Sequence, residues 1–194
     1  MSRIPLVMFI IFSGLSMNLV LQCALGIVSA SSSKVLSKKA ALIQLGIIFI
    51  GIILLWVIFS KIIFIIFSGI FAYVLLFPIS SIVYKCLEFL TFRYLIKKET
   101  DDILPIDFSG GITATALFIS LNIAGSFIEA AALSFGFTAG ILLAFLILGE
   151  IRLRAALEAV PRFLRGKPLT VISMGLLSLI FSGVSLLLFR MIEG

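Results

Sequence analysis

The sequence predicts an all-α membrane protein with six transmembrane helices in two inverted three-helix repeats. Three observations predict this fold class. Apolar residues make up 62% of the 194 residues and charged residues only 12%, whereas soluble domains are about half apolar and a quarter charged. The apolar residues fall in runs of about 20, the length that crosses a bilayer as a helix. The basic residues collect between these runs, and no length remains for a soluble catalytic domain.

Six apolar runs are long enough to be spans. In chain order they cover approximately residues 4–28, 40–60, 62–84, 108–128, 131–149 and 169–190. Only Ser60 and Lys61 separate the second and third runs, so we expect a tight helical hairpin there. The first run resembles a secretory signal ending at Ala30, but it is longer than the usual core of a signal and contains Asn18 and Gln22. We therefore retain it as a helix.

Basic residues of the loops indicate the orientation of the spans. Three of them follow span one, four follow span three and five follow span five: Lys34, Lys38, Lys39; Lys85, Arg93, Lys97, Lys98; Arg152, Arg154, Arg162, Arg165, Lys167. The other side has only Arg3, Lys61 and Arg190. By the positive-inside rule we expect both termini to lie outside the membrane. The basic residues form no continuous patch with interleaved aromatic residues, so we expect contact with the lipid bilayer and no nucleic-acid partner.

The order of the spans indicates two halves, residues 1–99 and 100–194, of one membrane domain. Each half has three crossings, so the second half enters from the opposite side. Inverted repeats of this kind share a site near the middle of the bilayer, often at interrupted helices. The first span of each half is irregular: "ALGIVSASSS" ends span one, and "LPIDFSGGITATA" opens span four with Pro105, Gly110 and Gly111.

Uncharged polar residues lie within these two irregular spans. They are Asn18, Gln22, Thr113, Thr115 and Asn122. Such residues either form hydrogen bonds between helices or line an ion path, and the sequence leaves both interpretations open. An acid inside the bilayer is a functional hypothesis by default. The sequence favours an interfacial position for Glu129 and leaves Asp107 open. The candidate ion path consists of Asn18, Gln22, Asp107 and Asn122.

The most specific sequence features lie near the two ends of the chain. "IRLRAALEAVPRFLRG" (151–166), "ISMGLLSLIFSG" (172–183) and "NLVLQCALG" (18–26) resemble the A subunit of Rnf complexes and the related E subunit of Na⁺-pumping NADH:quinone reductase. The resemblance covers nearly the whole chain and is weak between residues 31 and 100. It implies a six-helix subunit, non-catalytic alone, paired with a homologous subunit of opposite topology and with other Rnf/Nqr-like subunits. Such a translocase couples electron transfer to Na⁺ or H⁺ movement.

The resemblance also implies a cofactor. In this family a [2Fe–2S] cluster lies between the paired subunits, and each irregular span supplies one cysteine. This chain departs from that pattern, because "LGIVS" places Val28 and "LPIDFSGG" places Gly111 at the ligand positions. Neither residue can bind iron, so we expect no cofactor held by this chain alone. Cys23 and Cys86 match no zinc or CxxC spacing. They are either free cysteines packed as small apolar residues or a displaced ligand pair.

The loop after span five contains four arginines that either anchor the cytoplasmic face or dock a soluble partner. They are Arg152, Arg154, Arg162 and Arg165. The leading hypothesis is a membrane subunit of an Rnf/Nqr-like complex, divergent at the cluster site. The alternatives are a stand-alone secondary transporter on the same scaffold, with its site between spans one and four, and a purely structural subunit. No Gly-rich nucleotide loop is visible, so the chain itself is not expected to bind flavin or nicotinamide.

Overall fold

The computed structural model describes residues 6–21, 38–66, 70–91, 93, 106–157, 161 and 167–193. Within these ranges the chain is helical and contains no strand, which confirms the all-α class. The helices are α1 (Leu6–Ile11), α2 (Lys38–Ile58), α3 (Ile70–Val74), α4 (Leu76–Thr91), α5 (Ile106–Ile123), α6 (Phe127–Leu157) and α7 (Lys167–Glu193). Helices suit so apolar a chain because a helix satisfies its backbone polar groups internally, without water.

Four helical stretches are long and apolar enough to cross a membrane. They are Leu42–Ile66, Ile70–Thr91, Phe127–Ile151 and Pro168–Met191. Two further apolar stretches, Leu6–Ser16 and Gly111–Ile123, are shorter. The described residues therefore form a multi-pass membrane protein, and the count of six spans stays a prediction.

The hairpin predicted at Ser60 and Lys61 is wrong in position. There α2 continues through a π-helical turn, Phe59–Ile63, into a last helical turn at Phe64–Ile66. Lys61 is exposed on the helix surface, so its long side chain extends away without breaking the backbone. The connection to α3 falls instead at residues 67–69, outside the described residues.

Helices α3 and α4 form one span with a local interruption at Leu75. Leu75 still donates its N–H to Phe71 O at 3.3 Å and accepts from Ile79 N at 3.1 Å. Pro78 has no N–H to donate to the carbonyl of Val74, which explains why α3 ends there. Hydrogen bonds of helical spacing thus continue through Leu75, and Ile70–Thr91 is one helical stretch.

Helix α6 lies at the centre of the bundle and packs against α1, α2, α5 and α7. Helix α5 packs against α2 and α4, while α1 packs against α6 and α7. One core cluster joins α1 to α6 and includes Leu19, Phe137 and Ile141. A second joins α2 to α5 and includes Trp56 and Leu117. The first helix of each predicted half thus packs against helices of the opposite half.

Candidate functional site

The first helix ends inside the protein, well before the predicted limit of its span at residue 28. After α1 the backbone forms a π-helical turn, Phe12–Ser16, closed by Met17 N donating to Phe12 O at 2.8 Å. Residues 17–21 are not helical, although Leu19, Val20 and Leu21 are all buried. This break lies in span one before "ALGIVSASSS" (24–33), the segment that the sequence predicted to be irregular, and that segment lies outside the described residues.

Asn18 occupies the break and is 1% exposed. Its Nδ2 donates to Gly14 O at 3.0 Å and to Gly140 O of α6 at 2.8 Å. Its Oδ1 accepts the backbone N–H groups of Val20 at 3.1 Å and Leu21 at 3.2 Å. The second pair is the pattern by which an N-cap residue holds the first turn of a following helix. Asn18 therefore joins both sides of the break to α6.

Glycines bring the backbones of α1 and α6 into direct contact beside the break. A Cβ added at Gly140 would lie 2.5 Å from Gly14 O and 2.9 Å from Gly14 Cα. A Cβ added at Gly136 would lie 2.6 Å from Ile10 O and would overlap Ser13 Oγ. Gly136 and Gly140 belong to "GFTAG", a small-residue spacing that permits close helix contact in membranes. Sequence reasoning missed this motif, although its GxxxG spacing was a readable signal.

The break lies at the middle of the apolar length of α6. Gly140, which Asn18 contacts, is 13 residues after Phe127 and 11 residues before Ile151, the ends of the apolar stretch. Ile10 lies against Gly136 and Asn18 against Gly140, so α1 and α6 run in the same direction. Parallel spans one and five agree with the orientation that the loop charges predict.

The hydrogen-bonding capacity of Asn18 is fully used. An amide side chain has two donor hydrogens and an oxygen with two acceptor positions, and all four are occupied in the contacts above. Asn18 is thus built to fix the break. Gln22, its neighbour in the candidate ion path, lies outside the described residues, as do Cys23 and Val28.

Span four, the second span predicted to be irregular, is a continuous helix: α5 runs from Ile106 to Ile123 through Gly110 and Gly111. This part of the prediction is wrong, because glycine weakens a helix without having to interrupt it. The structure describes the side chains of α5 only from Gly111 onward. Asp107 therefore lies within α5, with its side chain outside the described part. Thr113 is buried, and Thr115 Oγ1 donates to Gly111 O at 2.9 Å. The hydroxyl of Thr115 thus bonds within its own helix, and this bond tests neither the contact between helices nor the ion path considered for this residue.

Asn122 lies in a different environment from Asn18. It is exposed at the end of α5, where its Nδ2 donates to Phe118 O at 2.7 Å and its Oδ1 accepts from Tyr73 Oη at 3.3 Å. The Tyr73 ring packs edge-on against Phe118 with 5.7 Å between ring centroids. The structure thus places Asn122 in a contact between α3 and α5 and separates it from the buried break.

Glu129 caps a helix. Its Oε2 accepts the N–H of Gly125 at 2.8 Å, while its own N–H donates to Ser126 Oγ at 3.4 Å. This reciprocal pair at the start of α6 is a capping box. It satisfies backbone donors that the turn at residues 124–126 leaves free, and so supports the reading of Glu129 as a residue without an ion-binding role.

Sequence reasoning missed the most deeply buried acid among the described residues, Glu88 of α4. Glu88 is 2% exposed, and its Oε2 accepts Lys85 Nζ at 2.5 Å. Among the described residues its Oε1 has no hydrogen-bond partner, and neither polar atom of buried Gln44 on α2 has one. The signal in the sequence was the acid in "KCLEFL", which the loop assignment after span three had placed outside the membrane.

The arginines proposed for docking are only partly described. Arg154 Nε donates to Glu150 Oε1 at 3.1 Å, and both side chains are exposed at the end of α6. Arg152 lies in α6 with its side chain outside the described part, and Arg162 and Arg165 lie outside it altogether. A long α6 thus extends its charged end beyond the apolar stretch.

The residues present do not fit an iron–sulfur cluster. Gly111 offers no side chain, its carbonyl accepts Thr115 Oγ1, and Val28 carries no sulfur. Cys86 is exposed on α4. Among the described residues no three His, Cys, Asp or Glu side chains are grouped to hold a metal. A cluster-binding role for this chain therefore finds no donor set.

The fold and the buried break define a class: a multi-pass α-helical membrane protein whose first described helix ends in a buried, non-helical segment at residues 17–21. Comparison with known proteins adds no family, since no protein-family model matches the chain and no curated protein sequence matches it significantly.

Proposed function

We propose that this chain is a membrane subunit of an Rnf/Nqr-like complex that couples electron transfer to Na⁺ or H⁺ movement, divergent at the [2Fe–2S] site. The observation that carries the proposal is the helix break at Asn18, buried at the middle of the apolar length of α6. A break at this depth opens backbone polar groups inside the bilayer, which membrane proteins tolerate at ion and substrate sites. It also falls in "NLVLQCALG", one of the segments that carry the family resemblance.

Helix packing supports two inverted three-helix repeats. If the two halves are exchanged, α1 corresponds to α5, α2 to α6, and the α3–α4 span to α7. The contact of α1 with α6 then corresponds to the contact of α5 with α2. The contact of α1 with α7 corresponds to the contact of α5 with the α3–α4 span. All four contacts are present. The contact between α2 and α6 maps onto itself under the same exchange. This agreement is what a pseudo-twofold axis in the membrane plane produces.

Within the complex the chain would contribute helix packing and an ion path. By itself it would catalyse no reaction. Its partners would be a homologous six-helix subunit of opposite topology and other Rnf/Nqr-like subunits in a bacterial inner membrane, with both termini outside. Since Val28 and Gly111 supply no ligand, no electron-transfer step is assigned to this chain. Glu88, the most deeply buried acid among the described residues, is the acid best suited to the ion path, because an ionisable group inside a membrane is costly and marks a functional site by default.

Purification of the tagged protein from its native membranes in mild detergent tests the proposal. Mass spectrometry should recover flavin- and iron–sulfur-bearing partners together with a second six-span subunit. Iron measured on the same sample should not follow this chain when it is dissociated from its partners. Recovery of the chain alone in several detergents would overturn the complex.

A secondary transporter on the same scaffold is the second candidate, and the absence of sulfur at Val28 and Gly111 favours it. The isolated protein in liposomes would then move a solute by itself, and Asn18→Leu would abolish that movement. A matched Asn122→Leu variant would retain this movement, since Asn122 is exposed at the end of α5 and is not part of the buried break.

A further inference from the structure

Glu88 lies on the buried face of α4 together with residues four positions apart. Leu76, Ser80, Tyr84 and Glu88 are the buried residues of this helix. The spacing of four keeps them on one stripe, which packs toward α2 and α5. The carboxylate is therefore held by a rigid helix inside an apolar stretch that ends at Thr91.

The Lys85–Glu88 pair is asymmetric. The Glu88 side chain is 3% exposed, whereas that of Lys85 is 34% exposed. Lysine carries its charge on a flexible four-carbon stem and is strongly hydrated, so the Lys85 ammonium can reach water while its backbone stays in place. Glu88 cannot follow it outward. Departure of Lys85 would leave a buried carboxylate with no compensating charge, which is strongly unfavourable.

The Glu88 carboxylate also has an acceptor that Lys85 does not use. Within the described part of the chain, Oε1 is buried without a hydrogen-bond partner. On the facing helix, Gly51 lies against Leu87, with 3.6 Å between an added Cβ and Leu87 Cδ1. Gln44 is two helical turns from Gly51, about 10 Å toward the Lys38 end of α2, and neither of its polar atoms has a partner among the residues that the structure describes. Buried polar atoms are thus present both at the level of Glu88 and, in Gln44, closer to the Lys38 end of α2.

We infer that Glu88 binds one monovalent cation and that the Lys85 ammonium is a tethered competitor for the same carboxylate. One carboxylate balances one positive charge, and a divalent ion would leave an uncompensated charge in an apolar interior. The ion and the ammonium alternate: binding of the ion releases Lys85 to the surface, and loss of the ion returns it. The inference rests on the proposed ion-transport function and assigns Glu88 and Lys85 their roles in it.

Equilibrium binding of ²²Na⁺ to the purified protein in lipid nanodiscs tests the inference. Lys85→Gln should lower the half-saturating Na⁺ concentration about tenfold, which corresponds to about 1.4 kcal/mol of lost competition. Lys85→Arg retains the charge and should bind like the wild type. Lys61→Gln removes an exposed lysine elsewhere and should have no effect. Glu88→Gln should abolish saturable binding.

A proton is the other monovalent cation, and infrared spectroscopy of the same samples distinguishes it. If the ion is a proton, Lys85→Gln should show a protonated carboxyl band that the Lys85→Gln/Glu88→Gln variant lacks. The double variant removes both charges together and so leaves no unpaired charge buried in the protein. We therefore expect it to fold and to serve as the control for the carboxyl band.

Two other outcomes would contradict the inference, either for Lys85 alone or for the whole site. If Glu88→Gln abolishes binding while Lys85→Gln binds as the wild type does, Lys85 is not a competitor and the ion-transport proposal stands. If neither Na⁺ binding nor the carboxyl band depends on Glu88, the site is wrong. In that case the complex, judged separately by its co-purifying partners, is unaffected.

Discussion

Asn18 shows how one uncharged side chain maintains a helix break inside a membrane protein. It donates to the carbonyls of Gly14 beside the break and Gly140 on α6, and it accepts the N–H groups of Val20 and Leu21 within the break. Burying a polar group without a partner costs more than the hydrogen bond itself contributes. A fully satisfied amide is therefore the residue expected where the helix must stop without water.

Asn18→Leu keeps a similar volume and removes all four hydrogen bonds. Each buried group left unpaired costs about 1–3 kcal/mol, so the free energy of unfolding should fall by about 3 kcal/mol or more. Titration with SDS in mixed micelles, followed by circular dichroism, measures this loss. Asn122→Leu is the control and should cost about 1 kcal/mol or less because Asn122 is exposed. Equal losses for the two variants would refute the role of Asn18.

Glu129 and Glu88 are both acids near helix ends, but their surroundings indicate different roles: Glu129 caps α6, and Glu88 is the proposed cation ligand. Glu129→Ala removes the capping box and should lower the free energy of unfolding by about 1 kcal/mol, with ion binding unchanged. Glu129→Gln keeps an acceptor oxygen and should retain most of that stability. A change of Na⁺ binding in either variant, measured in nanodiscs, would contradict the capping interpretation.

At the scale of elements, the contact between α1 and α6 depends on the absence of side chains. Gly14, Gly136 and Gly140 let the two backbones meet, and this approach places Gly140 O within reach of Asn18. The glycines and the asparagine therefore form one unit. A larger residue in the contact would separate the helices and remove the bond to Asn18 as well.

Gly140→Ala should destabilise the protein by about 2 kcal/mol or more, since the new methyl group meets fixed backbone atoms of Gly14. Gly149→Ala, on the same helix, meets nothing within 4 Å. It should be neutral or stabilise by up to about 1 kcal/mol, the helix preference of alanine over glycine. Thermal unfolding of the two variants in detergent measures the difference. Equal melting temperatures would show that the close contact is absent.

At the scale of the whole molecule, the parallel direction of α1 and α6 agrees with loop charges that place both termini outside. We expect Ser33→Cys, introduced into a variant without Cys23 and Cys86, to react with a membrane-impermeant maleimide only in inside-out vesicles. Ser68→Cys should react only in right-side-out cells. The reverse labelling would overturn the predicted topology, while labelling of both positions from one side would overturn the number of crossings between them.

Sequence patterns predicted the helices well and their ends less well. The irregularity of span one was expected because Asn18, Gln22 and Gly26 interrupt an apolar run. The run itself gave no reason to stop at Ser16, where the turn depends on the contact with α6. The hairpin was misplaced at Lys61 because one exposed lysine is compatible with a continuous helix. The asymmetric core site at Glu88 was missed because Lys85 and its neighbours read as a loop.

The sequence by itself determined that the chain is helical and crosses a membrane, since long apolar runs have no other stable backbone conformation in lipid. Its residues also indicated an irregular first span, whereas the glycines predicted to interrupt span four lie within the continuous helix α5. Only the tertiary structure decided which polar groups are buried in protein: Asn18 and Glu88 inside, Asn122 outside. The physical reason is that lipid and protein interior are equally apolar, so the helices carry no one-sided pattern by which sequence could distinguish the two environments.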